Sequence, residues 1–348
     1  MMPESNIVIE LLQLVKNSFF IISIGLIVAA TNVAIAHHSI VPFDQNTFIE
    51  LDGVVSEILW RNPHVRLKMR IQNDAGEEEE WELEGDSANA TARRGLTRDS
   101  MSVGNRIRVA GNPSIRERRE LLLTNILMPN GEEYLATERP RPWRWTEGQA
   151  SITSPGTSSE PSIFHVWSFE EAHQPREPFV FTPAAQAARA AWDPFTNMLA
   201  LRCIAPGMPN AMLNPYPIEF IDEGNYIRVR IEQWEATRLI NMASEEIPED
   251  APSSSLGYAI GRWENKTLIV DTTRIDFPYL DDAGTPMSAD VEMTERFTLS
   301  ENGTRLDYEV TIIDPLNLAE PAVEDAAWRW VPGTEISPYE CIPEQIEF

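Results

Sequence analysis

From residue 218 to residue 331 the sequence repeats one pattern: a short run in which apolar and polar side chains alternate, then a few turn-forming residues. IEFID, YIRVRIEQW, ATRLINM, SLGYAIGRWE, KTLIVDTTRI, VEMTERFTL, RLDYEVTII and AAWRWV are eight such runs. A period of two places successive side chains on opposite faces, so each run reads as a strand with one face buried. Asn302-Gly303 marks a hairpin between two of them, and Glu264-Asn265-Lys266 marks another turn. So many consecutive strands would leave exposed edges, and an antiparallel barrel or a strongly curved sheet removes them.

Upstream, residues 48–60 (FIELDGVVSEILW) and 65–72 (VRLKMRIQ) alternate in the same way, and GEEEEWELEG carries a third strand to Gly85. SANATARRGL reads as a short helix opened by Ser87 and stopped near Gly95, and the strand-like runs IRVAG and ELLLTNILM follow it. Three strands, a helix and two strands is the order of the OB-fold, a small five-stranded barrel. The expected fold is therefore mostly β. It has an OB-like barrel over residues 37–137, a Pro-rich linker with a short helix over 138–200, and an antiparallel barrel or curved sheet over 201–348. The linker carries Trp143, Trp145, Trp167 and Phe169, which argues that parts of it lie against a domain surface. Its helix has Thr182 as cap and Pro183 in the first helical position.

Ahead of the first barrel, residues 19–30 (FFIISIGLIVAA) form an apolar run. The run is shorter than the ~20 residues of a membrane span. Ala34-Ile35-Ala36 supplies the A-x-A pattern of a secretory cleavage site, so residues 1–36 read as a signal, with membrane contact limited to residues 7–30 if it stays attached. Cleavage after Ala36 makes His37 the amino terminus, next to His38. An N-terminal histidine offers its amine and ring nitrogen together, and His38, His64, His165 or His173 would complete a nitrogen set suited to Cu(II). Export also implies that the two cysteines, Cys203 and Cys341, pair and close a long loop around the second half of the chain.

The formal net charge of −26 repels phosphate backbones, which excludes nucleic acid as an expected partner. AHHS, ELDGVVSEILWRNPHVRLKMRI, WELEGDSANATARRGLTRDSMSVGNRIRVAG and MPNGEEYL together resemble a family of exported bacterial proteins known only as a domain of unknown function. The resemblance covers about residues 36–136, and WRNPHV and RRGLTRDS are its most distinctive pieces. It implies a small periplasmic domain and no particular chemistry. LRCIAPGMPNAMLNPYPIEF, GRWENKTLIVDTT, MTERFTL and LDYEVTIIDP are similar to a domain of uncharacterised exported bacterial proteins.

Candidate site residues follow from strand faces. In YIRVRIEQW, Arg228, Arg230 and Glu232 project opposite Ile227, Val229 and Ile231. A polar barrel interior would let the two arginines hold an anion with Glu232 as a base, whereas an apolar interior leaves all three solvated. Asp271 shares a face with Ile269 and Thr273 and is a candidate buried carboxylate, and the same reasoning covers Glu295 and Arg296. Trp60, His64 and Trp263 are candidate ligand contacts. No nucleophile elbow, phosphate loop or HExxH motif occurs. Three functions stay open. The residues favour a binding or scaffold module for a small ligand or periplasmic protein. The others are an enzyme (lyase, isomerase or hydrolase) acting on a small apolar or aromatic substrate in the second domain, and a copper-binding protein using His37.

Overall fold

The computed structural model describes residues 42–73, 75–115, 118–137, 142–147, 161–172 and 179–343. His37, His38 and His173, and the signal-like residues 1–36, lie outside the described residues.

The first barrel is built from β1 (Ile49–Leu59), β2 (Arg66–Gln72), β3 (Glu78–Glu84), β4 (Arg106–Pro113) and β5 (Glu120–Leu127), with β6 (Glu133–Leu135) added beside β5. Neighbours run antiparallel in the order β3-β2-β1-β4-β5, and a parallel pairing of β3 with β5, from Glu82↔Glu120 to Glu84↔Leu122, closes the ring. Alternation explains the register. Leu67 and Met69 of β2 point into a core with Val55, Leu83, Ile107, Val109, Leu121 and Leu123. The intervening Lys68 and Arg70 point out, where Glu57 (3.1 Å) and Glu78 (3.7 Å) meet them. At Gly53 a Cβ would lie 2.4 Å from the carbonyl oxygen of Arg70, so this crossing of β1 over β2 requires glycine. Helix α1 (Ala88–Arg93) sits between β3 and β4, and the Ser87 hydroxyl accepts a hydrogen bond from Ala90 N at 3.2 Å.

Residues 142–147 are strapped to this barrel by one carboxylate. Glu133, 3% exposed, accepts from the backbone N–H groups of Arg144, Trp145 and Thr146 and from the Asn125 amide at 2.8–3.0 Å. The Arg144 guanidinium lies 4.4 Å from the Phe48 ring centroid, and that of Arg108 lies 5.6 Å from the Trp145 ring.

The second barrel has nine strands, closed in the order β10-β11-β12-β13-β14-β15-β7-β8-β9. Eight correspond to the alternating runs of the sequence: β8 (Ile218–Asp222), β9 (Tyr226–Ile231), β10 (Ala236–Asn241), β11 (Tyr258–Glu264), β12 (Thr267–Thr273), β13 (Glu292–Leu299), β14 (Arg305–Ile313) and β15 (Ala322–Trp330). The ninth, β7 (Val166–Ala172), comes from the segment that composition reads as linker, and it fills the place between β15 and β8. Its alternation is short and flanked by Pro- and Ser-rich sequence, so composition masks it. One seam departs from an antiparallel barrel: β10 and β11 pair in parallel at Ile240↔Ala259 and Asn241↔Ile260, because the long connection between them returns the chain in the same direction. Helix α2 (Pro183–Ala191) starts where expected, with the Thr182 hydroxyl accepting from Ala185 N at 3.3 Å, and the one-turn helices α3 (Pro194–Asn197) and α4 (Asn210–Leu213) follow.

The barrel is filled. Phe220, Phe297, Tyr308 and Trp328 form a chain of rings through it with centroid separations of 5.2, 4.8 and 5.6 Å, packed by Val229, Leu268, Val270 and Ile312. A disulfide joins Cys203 to Cys341, and a parallel bridge pairs Asn62 of the first barrel's sequence with Cys341, with Ile342 N donating to Asn62 O at 3.0 Å. No described helix is long and apolar enough to cross a membrane.

Candidate functional site

Where β1 ends, Trp60, Arg61 and Asn62 turn away from the first barrel and face α1 and the C-terminal segment. These residues, with Asn89 and Arg93 of α1, Arg98, and Ser337, Pro338, Glu340 and Ile342, line an open cleft. The disulfide from Cys341 to Cys203 anchors the C-terminal wall to the second barrel.

Beneath the cleft lies Glu232, fully buried. Strand β9 stops at Ile231 and the chain turns into a 3-10 helix at Gln233–Glu235, which swings Glu232 off the face that carries Arg228 and Arg230. Its carboxylate accepts from Arg93 Nη1 (2.6 Å), Asn89 Nδ2 (3.2 Å) and Ser337 N (3.0 Å), so one carboxylate ties α1 and the C-terminal segment to the second barrel.

This carboxylate also fixes the polarity of the cleft wall. Asn89 Nδ2 donates to two groups that can only accept, Glu232 Oε1 and the Pro338 carbonyl (3.0 Å), so its Oδ1 must face the other way. There it accepts from Asn62 Nδ2 at 3.2 Å, which leaves Asn62 Oδ1, on a residue only 3% exposed, as a buried acceptor without a partner among the described residues. The neighbouring Arg61 Nε is likewise a buried donor without a partner among the described residues. Buried polar groups are normally satisfied, so a donor and an acceptor left over on two consecutive cleft-lining residues single this wall out as a candidate site. Arg61, Arg93 and Arg98 outnumber Glu340 and the underlying Glu232 by one charge, which makes the cleft locally positive in a protein of net charge −26.

The structure distributes the sequence candidates as follows. Trp60 lines the cleft and Glu232 supports it. His64 lies outside the lining, with Nδ1 3.6 Å from Glu84, and Trp263 is 45% exposed on the outside of the second barrel. Arg228 and Arg230 point outward and pair with Glu223 (2.7 Å) and Glu219 (2.6 Å), because the interior opposite them is apolar. Asp271 is paired but not buried, engaging Arg262 at 2.5 Å and Thr294 Oγ1 at 2.8 Å on the outer face. Glu295 is inside the barrel, where Arg238, Thr272 (3.0 Å) and Tyr308 (3.0 Å) donate to it. Burial, reinforced by Glu295, holds the Tyr308 hydroxyl well above its usual range, so it stays a donor. Burial pushes the His165 ring below its usual range, and it stacks on Trp330 at 4.7 Å, with Nε2 unpartnered among the described residues. Among the described residues no group of three or more His, Cys, Asp or Glu side chains is shaped for a metal ion.

Arg61, Asn62, Asn89, Arg93 and Arg98 are absent from the sequence candidates, although WRNPHV and RRGLTRDS contain four of them. What was missing is the fold, which brings the two pieces to one wall. Residues 25–121 match a family described only as a family of unknown function (DUF6152). The matched stretch contains every residue that the first barrel contributes to the cleft. No curated protein matches the chain.

Proposed function

We propose that the protein is an exported binding protein whose cleft between the barrels takes a small aromatic or unsaturated anion that also carries a hydroxyl or N–H donor. The observation that carries this reading is the free pair of Arg61 Nε and Asn62 Oδ1 in a wall with Arg98 and Trp60. The arginines suit a carboxylate, the Asn62 oxygen needs a donor from the ligand, and Trp60 offers an apolar surface to a flat group. Glu232, the carboxylate beneath, has its oxygens tied by three donors, which favours binding over proton transfer. The A-x-A pattern at residues 34–36 and the Cys203–Cys341 bridge support a periplasmic or otherwise exported location. A helix between the third and fourth strands of a five-stranded barrel supports the OB reading of the first domain.

The test is calorimetric titration of para-hydroxybenzoate, with para-cresol as the probe that lacks the carboxylate. The wild type should bind the acid saturably, one per chain, and Arg61→Ala/Arg98→Ala should weaken it by about tenfold or more. Equal binding by both proteins, or equal binding of para-cresol, would refute the assignment.

A further inference from the structure

Trp263 takes no part in the cleft and stands where the second barrel closes least completely. Strands β10 and β11 pair only at Ile240↔Ala259 and Asn241↔Ile260. Beyond Asn241 the chain leaves the sheet. Ala243 N turns back onto Asn241 Oδ1 at 2.9 Å, and by Glu249 the chain has reached the opposite end of the β11–β12 hairpin, where the Glu249 carbonyl accepts from Arg274 Nη2 at 2.7 Å. Strand β11 runs on from Gly261 to Glu264, paired there with β12 alone.

Alternation fixes which backbone groups are left over. β11 and β12 meet in a turn at Asn265-Lys266, so Glu264 with Thr267 and Arg262 with Ile269 form the hydrogen-bonded pairs of the hairpin. Trp263, opposite Leu268, therefore aims its N–H and C=O away from β12, and neither bonds any described residue. Its ring stands edge-on to Phe164, 6.5 Å between centroids, yet the residue is 45% exposed. Arg262 and Glu264, on the other face of the strand, have side chains about half exposed. An unpaired edge is a template for another strand, and neither a proline nor a bulge interrupts this one.

We propose that this edge pairs with the same edge of a second copy, antiparallel about a two-fold axis at Trp263. Arg262-Trp263-Glu264 is its own complement in that arrangement. The two Trp263 residues exchange their N–H···O=C bonds, and each Arg262 faces the Glu264 of the other copy. Arg262 also pairs with Asp271, but its guanidinium carries five N–H donors and serves both carboxylates. Sign matching in both directions is what selects a second copy over an unrelated strand. At ~0.15 M salt, screening beyond ~8 Å limits the repulsion between two chains of net charge −26 and leaves the charges at the edge dominant. The contact is small, so the dimer is a weak one. The inference does not depend on the anion cleft.

Sedimentation velocity of the full chain at ~0.15 M salt tests it, over loading concentrations from about 5 to about 500 μM. The mean sedimentation coefficient should rise with concentration. Arg262→Glu and Glu264→Arg should each abolish the rise, because like charges then face each other. An equimolar mixture of the two variants should restore it, because unlike charges face again. Trp263→Ala, at an exposed position, should weaken association about tenfold. Circular dichroism confirms that the variants are folded. A wild-type coefficient that does not change with concentration would overturn the inference. So would undiminished association of a folded variant alone, or a mixture of folded charge variants that stays monomeric while the wild type associates.

Discussion

Glu232 ties three separated pieces of the chain through one fully buried carboxylate, so it is the residue whose removal should cost most. Glu232→Ala deletes a charge-assisted bond to Arg93 and two bonds to neutral donors, and leaves the Asn89 amide and Ser337 N–H short of an acceptor. A bond to a charged group contributes ~1.5–3 kcal/mol and an orphaned buried donor costs ~1–3 kcal/mol, so a loss of about 3–5 kcal/mol is expected. Arg93→Ala should cost about as much for a different reason, since it strands a buried carboxylate with neutral partners only. The double variant has no stranded carboxylate. Its cost should therefore fall short of the sum of the single costs by ~2 kcal/mol or more. Urea unfolding followed by circular dichroism, with the disulfide intact, gives the four free energies of the cycle. Because Glu232 is shielded from solvent, the coupling should change little between low and high salt. Additivity within ~0.5 kcal/mol would refute the clamp.

Other expectations are equally concrete. Burial works against ionisation of Glu133, but the backbone N–H groups of Arg144 and Trp145 and the side chains of Asn125 and Thr146 hold its carboxyl below the usual value of 4.5. Its contribution is therefore present above that pH and lost as pH falls through the native value, so Glu133→Gln should destabilise the protein at neutral pH and make little difference in strong acid, as read from urea midpoints. Burial, with Asp281 and Asp325 adding to it, pushes the Glu324 carboxyl up to about 8. The unfolded chain releases this proton near 4.5 while the native protein keeps it, so stability falls as pH rises from 4.5 to about 8, and Glu324→Gln should remove that slope from the difference between the two proteins. The Cys203–Cys341 bridge spans a sequence separation of 138, which the chain-entropy relation converts to about 5 kcal/mol. Replacing both cysteines by alanine should lower the urea midpoint and also weaken para-hydroxybenzoate, because residues 337–342 form one wall of the cleft.

The strands were legible because alternation is a local signal. Leu67 and Met69, or Phe297 and its neighbours on β13, declare a buried face without reference to anything distant. Strand β7 escaped because a single short run in a Pro- and Ser-rich segment carries too little local signal to outweigh its flanks. The candidate site was legible in part. Trp60 is visible as an aromatic residue at a strand end, but alternation puts Glu232 on the face of Arg230, and the 3-10 turn that begins right after Ile231 carries it into the interior. Arg61 and Arg98 gain their meaning only from each other and from the C-terminal segment, contacts that no spacing rule encodes. The Arg238–Glu295 pair left a trace as two charged residues on apolar strand faces, and their partnership became visible only when the barrel closed.

A crystal of the full chain soaked with bromine-substituted para-hydroxybenzoate, with data collected at the bromine absorption edge, tests the anion cleft most directly. The account predicts an anomalous peak beside Trp60, with the carboxylate against Arg61 and Arg98 and the hydroxyl at Asn62 Oδ1. A peak only elsewhere on the chain, or an empty cleft at a concentration that saturates the titration, would contradict it.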